Sequence, residues 1–185
     1  MTGRVALVEL DEATLVARAR DRDPASFELL VRRYQRRIYT LCVRMLDGAS
    51  GEAEDITQET FVTAWRRLPE IQNDAAFGGW LYRTATNKCL TVLQRRRPTV
   101  GLDEHHPAPD DHDPERAAGT TAAMNALSDA LRQLPPQQRA CWLLREVHGR
   151  SYQEIAGLVG TTPTAVRGRI ARARAELAEV MKPWK

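Results

Sequence analysis

Cysteine is scarce: Cys42, Cys89 and Cys141 lie far apart and no two form a CxxC pair. That spacing argues against a disulfide or metal framework and predicts buried thiols in a reducing cytosol. No apolar run approaches the ~20 residues needed to span a membrane. The opening MTGRVALVEL has an acid inside its short apolar run and no small-residue cleavage pattern, so no signal peptide is expected and the cytoplasm is the expected location. Internal repeats, a glycine-rich phosphate loop, a Ser/His/Asp arrangement and a carboxylate pair in a plausible pocket are all missing. An enzyme is therefore not expected, nor is a cofactor. Net charge is also small, +3 with a pI near 9.0, so binding to a polyanion requires the charge to be localised.

What is present is enough apolar residue for a core, 43% of 185 residues, in one domain or two small ones. The most informative stretch is SYQEIAGLVGTTPTAVRGRIARAR, Ser151 to Arg174. Ser151 and Glu154 have the spacing of a capping box, and Ile155, Leu158 and Val159 follow as an apolar stripe. Gly160 suits a helix C-terminus that needs positive φ. Thr162 and Pro163 then provide a cap and a first helical position for a second helix. On that helix Val166, Ile170, Ala173, Leu177 and Val180 share one face. Thr164, Gly168, Ala171 and Arg172 share the other, flanked by Arg167, Arg169 and Arg174. Two short helices, a glycine turn, a small residue at Ala156 and an arginine-studded second helix predict a helix-turn-helix that enters a DNA major groove. An Arg/Ala helix alone would read as the solvated face of a generic bundle.

The remaining chain also reads as helix. Asp11 to Arg20 predicts a short helix with Leu15, Val16 and Ala19 inward, after a frayed N-terminus. Asp23-Pro24 breaks it, and Ser26 is expected to cap a long amphipathic helix carrying Phe27, Leu30, Val31, Tyr34, Ile38, Leu41, Cys42 and Met45. Asp47-Gly48 turns the chain into GEAEDITQETFVTAWRRL. There Glu52, Asp55, Gln58 and Glu59 form a ridge at three- and four-residue steps. Acids near a helix N-terminus suit its dipole, but four groups on one ridge exceed that need and also fit a basic partner. Pro69 to Phe77 reads as a loop, and Gly78-Gly79 as the lead into a helix from Trp80 to about Arg96. Loop and helix could hold unstacked bases or simply pack. Pro98 to Thr120, rich in proline and acid, reads as an extended linker. Its His105, His106 and His112 lack the rigid backbone and cysteine company of a metal site, so no metal is expected. Ala122 to Leu134 and Gln137 to Val147 complete the helices. The expected fold is all-α, two small helical domains joined by a flexible acidic linker.

Taken together, these motifs resemble the bacterial RNA polymerase sigma factors of the extracytoplasmic-function (group 4) type, over about Phe27 to Leu177. FELLVRRYQRRIY is similar to region 2.1 of that family and EAEDITQETFVTAW to region 2.2. FGGWLYRTATNKCLTVLQRRR resembles regions 2.3 and 2.4. LPPQQRACWLLREVHGRSYQEIAGLVGTTPTAVRGRIARAR resembles region 4. The resemblance implies region 2 over 11–97, a linker over 98–120 and region 4 over 121–181. It implies core RNA polymerase as a partner, through the β′ clamp helices and the β flap, with Glu52, Asp55, Gln58 and Glu59 gripping the clamp helices. It implies that the loop residues Ile71, Asn73, Asp74 and Phe77, with Asn87 and Lys88, hold a flipped minus-10 base. Thr164, Arg167, Gly168, Arg169, Ala171, Arg172 and Arg174 would serve the minus-35 duplex, and an anti-sigma factor is a possible further partner. The acidic linker would thread toward the RNA exit channel, its charge mimicking RNA. Gly168 stands where a serine is common and Ala171 where a larger side chain can occur, which shifts base readout toward arginine and DNA shape. The chain is expected to carry no accessory domain beyond region 4. The alternative is a free-standing regulator of the LuxR type, binding an operator unaided.

Overall fold

The structure, a computed structural model, describes residues 10–71, 73–96 and 118–184. Eight α-helices and no strand occur among them: α1 Glu12–Arg20, α2 Pro24–Met45, α3 Ser50–Arg67, α4 Phe77–Arg96, α5 Ala118–Gln133, α6 Pro136–Trp142, α7 Tyr152–Val159 and α8 Pro163–Val180. The expected N-terminal fraying and most of the expected linker, with its three histidines, lie outside the described residues. Helix α5 begins at Ala118, so the last residues assigned to the linker are helical.

Helices α1 to α4 form the first group. Asp11 caps α1, accepting from the Thr14 amide at 2.7 Å, and Leu15, Val16 and Ala19 are fully buried as expected. The start of α2 differs from the sequence reading. Asp23, not Ser26, is the cap: its carboxylate accepts from the Ala25 amide, and the buried Ser26 hydroxyl donates to it at 2.6 Å. Pro24 fits just inside the helix because its missing N–H has no intrahelical partner to lose.

The glycine pair also lies differently. Helix α4 starts at Phe77, and Gly78 and Gly79 sit inside its first turn. Gly78 is there for space: a Cβ would stand 2.4 Å from the Tyr34 Oη on α2. Tyr34 is buried, donates to Glu12 Oε2 at 2.6 Å and meets the Phe77 ring edge-on at 6.0 Å, so it cannot swing aside. Gly78→Ala is therefore expected to lose about 1–3 kcal/mol through overpacking. That outweighs the roughly 0.5–1 kcal/mol that alanine gains over glycine in a helix. A urea titration showing a net gain in stability would contradict this packing.

Helices α5 to α8 form the second group. Helix α6 runs on into a single π-helical turn, Leu143–Val147, before Gly149 at φ +65° stops it. The helix-turn-helix is built as the spacing predicts. Ser151 and Glu154 form a reciprocal capping box, Gly160 is left-handed at φ +65°, and Thr162 accepts from the Ala165 amide at 3.2 Å. Val166, Ile170, Ala173 and Leu177 are buried, but Val180 is 41% exposed, because α8 runs past the end of the core there.

The two groups share one contiguous core. Helix α4 packs on α3 on one side and on α7 on the other, which buries Tyr82, Thr86, Leu90 and Leu93. Tyr82 Oη and His148 Nδ1 share a hydrogen bond of 3.2 Å, and the Arg150 guanidinium lies 4.4 Å from the Tyr82 ring centre. Burial, with Arg44, Arg150 and Arg37 nearby, holds the His148 pKa down to about 4, so its imidazole is neutral at this contact. Arg139 is only 3% exposed. It donates to the Met45 carbonyl at 2.6 Å, to Asp47, and to the carbonyls of Arg132 and Leu134.

Candidate nucleic-acid interface

Helix α8 presents its arginines in two different ways. Val166, Ile170 and Ala173 fix the inward face, which leaves Thr164, Ala171 and Arg172 exposed on the opposite one. Arg172 and Arg167 are exposed, and neither pairs with a carboxylate among the described residues. The Arg172 side chain lies over Gly168, where an added Cβ would sit 3.6 Å from Nη1 in ordinary contact. Space therefore does not demand glycine at this point. The other two arginines are engaged. Arg169 is half-buried and donates to Gln137 Oε1 at 3.2 Å, while Arg174 pairs with Glu146 at 2.6 Å. That hydrogen bond and charge raise the Arg174 pKa above its ordinary value.

Next to α8 lies a feature that the sequence pattern did not single out. Tyr152, the first residue of α7, has the Arg145 guanidinium 4.7 Å and the Arg167 guanidinium 5.4 Å from its ring centre. Nothing in the spacing of 145, 152 and 167 marks them as neighbours, because three separate elements bring them together.

The loop and α4 hold the six residues expected to meet a flipped base, and the structure separates them. Ile71 and Phe77 are buried, at 8% and 0% exposure, and support the loop from within. Two short 3-10 turns, Leu68–Glu70 and Asp74–Ala76, shape it. Arg20 clamps it by donating to the Ile71 carbonyl at 2.5 Å and pairing with Asp74. Asn73 and Asn87 are exposed, and Lys88 is tied to Glu59 at 2.7 Å.

The acidic ridge occupies one side of α3. Glu52 pairs with Arg96 and Glu59 with Lys88, so two of its acids fasten α3 to α4. Asp55 and Gln58 are exposed and make no such pair among the described residues. Beside the ridge, α2 and α3 leave an open groove of about 860 Å³, lined by Phe27, Val31, Tyr39, Phe61, Val62 and Trp65. Phe27 and Val31 belong to the apolar stripe that the sequence places on this helix. Their partial exposure shows that the apolar stripe of α2 is wider than the helices below it can cover.

Residues 30–99 match the family described as Sigma-70 region 2, and residues 124–177 match Sigma-70, region 4. The chain is 35% identical to the RNA polymerase sigma-H factor of Pseudomonas aeruginosa, over 96% of this chain and 97% of that one. It is 32% identical to the ECF RNA polymerase sigma-E factor of Escherichia coli strain K12, over 95% and 96%. Among solved structures it is similar to CnrH in complex with the cytosolic domain of CnrY, at a TM-score of 0.71 and 26% identity over 93% of this chain and 97% of that one. It also shares the fold of the sigma factor RpoE of Bartonella quintana, at a TM-score of 0.68 and 20% identity over 84% and 96%. Among the described residues no helix is long and apolar enough to cross a membrane. With both regions in order and relatives matched end to end, the chain belongs to the sigma-70 family as an extracytoplasmic-function sigma factor, the subunit that directs promoter-specific transcription initiation.

Proposed function

We propose that α8 reads the minus-35 duplex through Arg172, that Asn73 and Asn87 meet the unstacked minus-10 strand, and that the α3 ridge docks core RNA polymerase. One observation carries the reading most directly. The outward face of α8 bears an exposed arginine, Arg172, with no acid partner among the described residues, while its inward face is consumed in packing. Basic partners on polymerase fit Asp55 and Gln58, and the apolar groove beside them extends that surface. The β′ clamp helices and the β flap are the proposed polymerase contacts, in the cytoplasm where polymerase and DNA meet. Region 2 is assigned to 11–97, the linker to 98–120 and region 4 to 121–181. The sigma factor RpoE of Bartonella quintana, which shares this fold, is solved in complex with the anti-sigma factor NepR, and this supports an anti-sigma partner here as well. As a promoter-recognition subunit it contributes positioning rather than bond chemistry, so we assign it no catalytic residue.

The role is tested by run-off transcription with purified core polymerase on fragmented chromosomal DNA. Discrete transcripts are expected only when this protein is added, and their absence would favour an operator-binding regulator. On a promoter recovered in this way, Arg172→Ala should flatten selectivity at one or two minus-35 positions. A bidentate arginine–guanine contact contributes roughly 1–3 kcal/mol of discrimination. A titration in which every minus-35 variant weakens equally would show that Arg172 meets phosphate instead.

A further inference from the structure

The geometry points to Tyr152 as a positioning residue, whose ring holds Arg145 and Arg167 side by side as a cationic pair for the DNA backbone at the edge of the minus-35 groove. The inference rests on the reading that α8 enters that groove.

Tyr152 opens α7, between the Ser151 and Glu154 of the capping box that fixes its backbone. Both guanidinium groups stand over its ring, at 4.7 Å and 5.4 Å from the centre. A tyrosine face carries negative quadrupole density, so it attracts a cation placed above it. Two cations drawn to one ring also repel each other. Arg145 offsets none of that with an acid: Nη1 donates to the Arg150 carbonyl at 2.9 Å, and no carboxylate pairs with Arg145 or Arg167 among the described residues. By contrast, the neighbouring Arg174 has Glu146, and Arg150 has Glu154. The acids nearby are thus used on the outer arginines, and the pair on the ring is left with net positive charge.

The direction of that charge follows from the helix. Val166 and Ile170 point inward and Arg172 outward, so Arg167, one residue after Val166, projects from the flank of α8. A flank residue of a helix lying in a major groove meets the groove wall, which is phosphate. An unrestrained arginine loses rotamer freedom when it binds there. A guanidinium already resting on a ring has surrendered part of that freedom beforehand. Tyr152 therefore acts on affinity through Arg167 and Arg145 and carries no base information itself.

The test uses holoenzyme, assembled from core polymerase and the full chain, on a promoter fragment recovered in the run-off assay. Affinity is measured across a salt series and on a panel of minus-35 variants. Arg167→Ala is the control for the underlying reading and should lower the salt slope by about one. Tyr152→Leu is expected to lower the slope in the same way and to weaken all minus-35 variants alike, by about five- to tenfold. Tyr152→Phe, which keeps the ring face, should stay within about twofold of the parent. In the Arg167→Ala background, Tyr152→Leu should add less than it does alone, which a simple loss of folding would not produce. An unchanged slope for Arg167→Ala means that this flank does not face DNA, and the α8 reading falls. A lowered slope for Arg167→Ala with none for Tyr152→Leu, full additivity of the two, or a Phe variant as weak as the Leu variant overturns the role of the ring alone.

Discussion

Arg139→Ala is expected to destabilise the protein by about 3 kcal/mol, the low end for breaking a buried charge pair. The low end applies because Asp47, its carboxylate partner, is one-third exposed and water can take over part of the lost contact. The carbonyls of Met45, Arg132 and Leu134 lose a donor at the same time, two of them at the end of α5, where helix carbonyls have no partner of their own. For a chain of this size the melting temperature should fall by roughly 6–12 °C. Arg139→Lys should recover only part of this, since an ammonium lacks the planar fork that reaches acceptors on two sides. Thermal melts of the full chain followed by circular dichroism and by tryptophan fluorescence measure it. A loss under about 1 kcal/mol would mean that water replaces the guanidinium at little cost.

The second large effect is on polymerase binding. Asp55→Lys combined with Gln58→Lys should lower affinity for core enzyme at least about tenfold near 0.1 M salt, where charges act over about 10 Å. The loss should shrink as salt is raised, because the contribution is electrostatic and surface-exposed. These two positions are better probes than Glu52 and Glu59, which also hold α3 to α4 through Arg96 and Lys88. With no ion-pair partner among the described residues to lose, the double variant should melt within a degree or two of the parent. Equal affinity at low and high salt would remove the ridge from the docking surface.

Most local signals in this chain carried through to the structure, the cap of α2 excepted, where Asp23 takes the place expected for Ser26, while those that depend on distant neighbours did not. The capping box at Ser151 and Glu154, the left-handed Gly160 and the Thr162-Pro163 start are decided within a few residues, so spacing alone disclosed them. The inward stripe of α8 followed from helical period until Val180, where the core ends and period has nothing to say. Gly78 misled for a different reason. Glycine was read as punctuation before a helix, whereas it marks a close approach by Tyr34 from 44 residues earlier in the chain. Phe27 and Phe77 exchanged their expected surroundings likewise, the first lining an open groove and the second fully buried beneath the loop. Arg139 and Tyr152 escaped because a lone arginine or tyrosine has no sequence signature. Their partners lie up to 94 residues away in the first case and on two other elements in the second.

The three thiols have a practical consequence. All are free and wholly enclosed, Cys42 and Cys89 within the first helical group and Cys141 within the second. A thiol-alkylating reagent reaches an enclosed sulfur only when the surrounding helices part. An opening free energy of about 5 kcal/mol slows that reaction roughly 10³- to 10⁴-fold. Enclosure also raises the pKa of Cys141, which keeps its reactive thiolate scarce until exposure. Variants that keep only Cys42 or only Cys141 would thus act as separate clocks. Their labelling half-lives would report how often each half of the molecule breathes, with and without polymerase or promoter bound, and no dye or tag would need to be attached beforehand.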